Sequence, residues 1–178
     1  MRGLGNCLLG ILLVAAMPAS AEPVPINTPG WSDSPFISRD GQRLYFSYSR
    51  WNMIPALLGD KPQAYGPTRP GLNMTNDPEQ AAYESDLYVA ARKPDGTWSE
   101  ATPLPFNKPG SDTAPMEAGD SLYFSHSDGK DSIPDIFMTT KDKKGKWGKP
   151  AALDGVNSAW IDDSPYVAPT GDAIWFSS

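Results

Sequence analysis

Asp163-Ser164-Pro165-Tyr166-Val167-Ala168-Pro169-Thr170-Gly171-Asp172-Ala173-Ile174-Trp175-Phe176-Ser177 decides the fold, because its skeleton occurs twice more in the chain. The first copy is Asp33-Ser34-Pro35-Phe36-Ile37-Ser38-Arg39-Asp40-Gly41-Gln42-Arg43-Leu44-Tyr45-Phe46-Ser47. The second is Asp112-Thr113-Ala114-Pro115-Met116-Glu117-Ala118-Gly119-Asp120-Ser121-Leu122-Tyr123-Phe124-Ser125, a little shorter before its turn. Each reads as strand, tight turn, strand. Asp-Gly or Gly-Asp marks the turn, where glycine takes φ > 0 without a Cβ clash. The run that follows, Leu-Tyr-Phe-Ser or Ile-Trp-Phe-Ser, is rich in aromatic β-formers. Asp33, Asp112 and Asp163 head the Pro strand in the three copies. Such repeated placement points to a structural carboxylate that accepts backbone N–H bonds in a turn.

A second skeleton follows the first. Asp86-Leu87-Tyr88-Val89-Ala90 leads through Pro94-Asp95-Gly96 to Trp98, and Asp135-Ile136-Phe137-Met138-Thr139 leads through Lys144-Gly145 to Trp147. The two aspartates are 49 residues apart, as are the two tryptophans, and Asn107 and Asn157 are 50 apart. Asp86 and Asp135 read as turn carboxylates, Trp98 and Trp147 as packing residues. One unit is thus four short strands in sequence, and four antiparallel strands per repeat make a propeller blade. A lone blade cannot bury both faces, whereas stacked blades fill the space between them with aromatic side chains. The expected fold is all-β, a propeller of four-stranded antiparallel blades over residues 22–178. Three blade starts and two blade ends make about two and a half blades, fewer than the four or so of a closed ring. A partial propeller, a piece of a longer protein, is the expectation.

The combination of Asp-x-Pro, Asp-Gly, Leu-Tyr-Phe-Ser, Asp-Leu-Tyr or Asp-Ile-Phe, Gly-x-Trp and Pro-x-Leu resembles the TolB-like, WD-repeat-like propeller repeat of bacterial envelope proteins. The resemblance spans about residues 27–178 apart from an insertion. It implies a propeller in the periplasm or on the cell surface. Members bind proteins or sugars, associate with peptidoglycan-bound proteins, or accompany peptidase domains, and the resemblance assigns none of those activities to particular residues.

The remaining composition agrees with an exported β protein. Arg2 followed by the apolar run Leu8–Ala16 and by Ala19-Ser20-Ala21 reads as a secretory signal peptide over residues 1–21, too short for a permanent membrane anchor. A periplasmic or secreted location follows, with no integral membrane segment after cleavage. Cys7, the sole cysteine, precedes the apolar run, so the mature chain would have no disulfide. A net charge of −6 argues against nucleic acid and anionic membrane surfaces, which need a basic patch. Nineteen prolines and sixteen glycines leave little room for long helices.

Residues 51–83 form an insertion within the first repeat. Long loops on a rigid scaffold are usual seats of binding, so Trp51, Tyr65 and Arg69 are candidate ligand contacts for stacking or anchoring. No catalytic set stands out. His126, the sole histidine, lies beside Ser125, Ser127 and Asp128, but neighbours on a strand point to opposite faces, and a triad gathers its members from separate places. No metal ligands are assigned, although carboxylates from equivalent loops converging on a channel would suit Ca²⁺. The expected role is a non-enzymatic envelope module binding a protein or a carbohydrate. The alternative is the accessory or substrate-gating propeller of a hydrolase, a peptidase or glycosidase, whose catalytic part lies elsewhere.

Overall fold

A computed structural model describes residues 30–52, 54–64, 66, 84–129 and 132–178. The expected signal peptide, Tyr65 and Arg69 lie outside the described residues.

The architecture is all-β with one helical turn. The first sheet has four antiparallel strands in the order β1 (Trp31–Ile37), β2 (Arg43–Ser49), β5 (Asp86–Ala91) and β6 (Thr102–Pro103). Between β2 and β5 lie a two-residue ladder, β3 (Trp51–Asn52) with β4 (Gln63–Ala64), and the single turn α1 (Ile54–Leu57). The second sheet repeats the first: β7 (Ser111–Ala118), β8 (Ser121–Ser127), β9 (Asp135–Thr140) and β10 (Ala151–Ala152). A third hairpin, β11 (Asp163–Val167) with β12 (Ile174–Ser177), repeats the first half of that unit.

Alternation along the strands builds the core, because successive side chains point to opposite faces. Tyr45 and Leu87 of the first sheet meet Leu122 and Phe124 of the second in one buried cluster, with Phe36, Phe106, Phe137 and Trp147 packed against it. Leu44, Phe46, Tyr48, Tyr88 and Ala90, the alternate residues of β2 and β5, form another cluster with Trp98 at its border. Both tryptophans pack against these clusters, and a cation lies over each ring: Arg92 is 6.0 Å from the Trp98 ring and Lys141 4.3 Å from that of Trp147. Strand β7, at the edge of its sheet, lies against β1 and β2 and also against β11.

The landmark asparagines clamp the third strand of each sheet. Leu87 N–H donates to Asn107 Oδ1 (3.2 Å), and Asn107 Nδ2–H donates to the Leu87 carbonyl (3.0 Å). Asn157 makes the same pair of bonds to Ile136, at 2.8 and 3.0 Å. The amide thus gives the Leu87 and Ile136 N–H groups an acceptor and adds a second donor to their carbonyls, which also take the Leu104 and Leu153 N–H.

Two changes test this scheme. Asn157→Ala deletes both bonds to Ile136 and is expected to lower the unfolding free energy by about 1–3 kcal/mol, read by urea denaturation. Gly110→Ala should be at least as harmful. Its φ is +111°, and an added Cβ would fall 2.1 Å from the Ser127 carbonyl oxygen.

Candidate functional site

The first strands of the three units, β1, β7 and β11, carry the same irregularity. Their registers slip between Asp33 and Phe36, between Thr113 and Met116, and between Asp163 and Tyr166. Inside each slip a non-glycine residue takes the left-handed region: Ser34 at φ 49°, Ala114 at 50° and Ser164 at 55°. This conformation costs an L-residue roughly 1–2 kcal/mol, and surrounding bonds hold it. Asp33 accepts Trp31 Nε1–H (2.8 Å) and the Ser47 hydroxyl. Asp163 accepts the Ser125 hydroxyl (2.5 Å) and the Ser164 N–H (2.6 Å), and Ser164 N–H also reaches Ser125 Oγ at 3.1 Å. The carboxylates at these two positions therefore serve the bulge, Asp33 through side-chain donors and Asp163 through a hydroxyl and a backbone N–H.

Asp112 does not share that position. The ladder places Thr113 opposite Ser125, as Asp33 is opposite Ser47 and Asp163 opposite Ser177. Asp112 stands one residue earlier and corresponds to Asp162. Both are buried, and each accepts the N–H four residues before it, from Lys108 and Ser158 respectively. The prolines fix the alignment, because the bulge lies next to them in every copy; an alignment on the aspartates sets Asp112 one residue out of register. Asp86 and Asp135 open the third strands, opposite Tyr48 and His126.

The bulges face a common space. Ser34, Pro35 and Phe36, Ala114, Pro115 and Met116, and Ser164, Pro165 and Tyr166 line one open cavity of about 240 Å³. Three repeats thus contribute the same three positions to one wall. Farther along β7, Glu117 is 4% exposed and closes a polar cluster. Arg43 Nε donates to its two oxygens at 3.2 and 2.9 Å, Lys141 Nζ at 2.8 Å and the Tyr45 hydroxyl at 3.1 Å. Burial first, then the Glu117 charge, push the Tyr45 phenol well above its ordinary value.

Trp51, a candidate contact by sequence, is turned inward. It is 4% exposed, and its Nε1–H donates to Glu84 at 3.1 Å. Its ring is part of the packing at the start of the insertion and presents no face to a partner. Arg39, Arg43, Glu117 and Lys141 were not found by sequence reasoning. Their signal was a departure from the repeat, since the first and third copies carry Ile37 and Val167 where the second has Glu117.

His126 is 4% exposed with a carboxylate at each ring nitrogen: Asp112 Oδ1 at 2.8 Å from Nδ1 and Asp128 Oδ1 at 3.0 Å from Nε2. Ser125 bonds instead to Asp163, so neither imidazole nitrogen is left to serve it as a base. Among the described residues no three His, Cys, Asp or Glu side chains gather into a metal-sized group. No protein-family model, curated protein or solved structure matches this chain. The TolB-like resemblance therefore rests on the repeat residues alone.

The imidazole gives a pH signature. Burial pulls its pKa down, but the Asp112 bond and charge, helped by Asp128 and opposed by Lys108, hold it above the ordinary 6.5. A raised folded-state pKa gives stability that is fully present below about 6.5, the unfolded value, and is lost as pH rises through the folded pKa. Urea midpoints should therefore fall across that window on the alkaline side of 6.5 and lose this step in His126→Gln. The single imidazole Cε1–H resonance reports the folded pKa directly.

Proposed function

We propose that the sheets are blades of a β-propeller and that this exported protein is a non-catalytic recognition module, with the bulge cavity as its ligand site. The observation that carries the reading is the convergence of three equivalent bulges on one cavity. First strands gathered around an axis are what a propeller's radial stacking produces. Repeat-to-repeat ties agree with it: Asp112 N–H donates to the Ser85 carbonyl (2.8 Å) and Asp162 N–H to the Pro134 carbonyl (3.0 Å), each joining one sheet to the first strand of the next unit.

The wall suits a carbohydrate of the cell envelope. Proline and aromatic surfaces offer apolar area, while the Ser34 and Ser164 hydroxyls offer hydrogen bonds, the two kinds of contact that a sugar ring presents on its faces and rim. A volume of about 240 Å³ admits one sugar unit. Strained backbone held at equivalent places around a cavity also fits a pre-organised binding wall.

Ser34→Trp and Ser164→Trp fill the cavity from exposed positions that already hold a side chain in this backbone conformation. On an array of bacterial envelope glycans, the unaltered protein should retain a defined subset. Each variant should lose that binding at least tenfold while keeping its circular dichroism spectrum. Retention of nothing by the unaltered protein, or equal retention by both variants, overturns the reading.

A further inference from the structure

Arg39 stands in the turn between β1 and β2 and reaches the turn of the third hairpin. Its two terminal nitrogens donate to the carbonyls of Pro169 (2.6 Å) and Ala168 (2.9 Å). Among the described residues no carboxylate lies within ion-pair distance of it. It lines a second cavity, of about 300 Å³, with Asp40, Arg43, Glu117 and Gly119.

Both carboxylates of that cavity are already matched. Glu117 holds Arg43, Lys141 and the Tyr45 hydroxyl. Asp40 accepts the Ser38 hydroxyl at 2.6 Å, the Gln42 N–H at 3.0 Å and Arg43 Nη2 at 2.9 Å. These bonds draw its pKa down to about 2, so it stays ionised and committed to them. With Lys141, which meets Glu117 from outside the lining, three cations, Arg39, Arg43 and Lys141, stand against these two carboxylates. The surplus positive charge is that of Arg39, in a chain whose net charge is −6.

We propose that this cavity is an oxyanion site, in which a carboxylate or phosphate group of a small ligand pairs with Arg39. A guanidinium has five N–H donors in a planar fork, so the bonds to the two carbonyls leave donors for an anion. Those carbonyls also hold the plane of the guanidinium, which reduces the side-chain freedom lost on binding. Solvent screens an exposed arginine, and Asp40 and Glu117 oppose an incoming anion, so affinity falls in about the millimolar range. The site does not rest on the propeller reading or on the carbohydrate assigned to the other cavity.

The test is a ¹H–¹⁵N titration of the chain with inorganic phosphate in one arm and glucuronate in another, with sodium chloride at matched ionic strength and glucose as controls. The Gly41 and Gly119 amides should shift saturably with phosphate, glucuronate or both, and with neither control. The arm that saturates at the lower concentration identifies the kind of oxyanion. Arg39→Gln should weaken binding at least tenfold, and Arg39→Lys, which keeps the charge without the fork, should weaken it less. Linear shifts in both arms, or equal midpoints in the protein and Arg39→Gln, overturn the proposal. Because Arg39 also ties two hairpins together, the readout is the ligand-dependent shift, which lost stability alone does not produce.

Discussion

The backbone bond that hands the chain from one sheet to the next sets the geometry of everything else. Asp112 N–H on the Ser85 carbonyl and Asp162 N–H on the Pro134 carbonyl recur at the same point of successive units. Each fixes where the first strand of a unit begins against the preceding sheet. The bulge follows two residues later, so its position is inherited from that bond. Tyr45 is thereby brought to Glu117, Phe106 to Phe124, and Arg39 to the third hairpin turn. Hydrophobic burial supplies the drive for stacking, but it is not directional. The inter-sheet bond and the asparagine clamps supply the registration that burial alone lacks.

What the sequence made legible was whatever repeats. The strand pairs, the turn glycines, the two packing tryptophans and the spacing of Asn107 and Asn157 are all periodic, and all appear in the sheets as four-stranded order. The bulge was not visible, because Ser34, Ala114 and Ser164 carry no signature of a left-handed backbone. Glycine would have announced one. The misplacement of Asp112 has the same root: two adjacent positions of the first strand both suit aspartate. The third copy shows this openly with Asp162 next to Asp163, one bonded to the preceding turn and the other to the bulge.

The candidate sites were harder to read because their residues break the period. Trp51 looked exposed since aromatic residues in an insertion suggest contact, yet Glu84 offers its indole N–H a buried acceptor, and the ring follows. A tryptophan with a partner for its polar atom can be buried whole. Glu117 takes a position where the other copies have apolar side chains, and its burial is tolerable only because Arg43 and Tyr45 of β2 and Lys141, just past β9, all reach it. No local pattern encodes such a meeting.

The same logic explains why one repeat position can hold tyrosine, histidine or serine. Tyr48, His126 and Ser178 follow the Phe-Ser of their copies; Tyr48 and His126 pair with the residue that precedes the bulge by two, and the Ser178 side chain bonds to Asp162. Where that residue is Asp112, an imidazole completes a buried ion pair, and a second carboxylate on Asp128 favours the doubly protonated ring, since a neutral imidazole can donate from only one nitrogen. In the third copy the carboxylate persists without the imidazole. Asp162 Oδ2 takes the Ser158 N–H, and that bond, helped by the Ser178 side chain, keeps its pKa low. The aspartate is therefore retained for its bond to the turn behind it. The histidine is an addition particular to the second unit, which gives that unit an imidazole-linked pH response that the first and third copies lack.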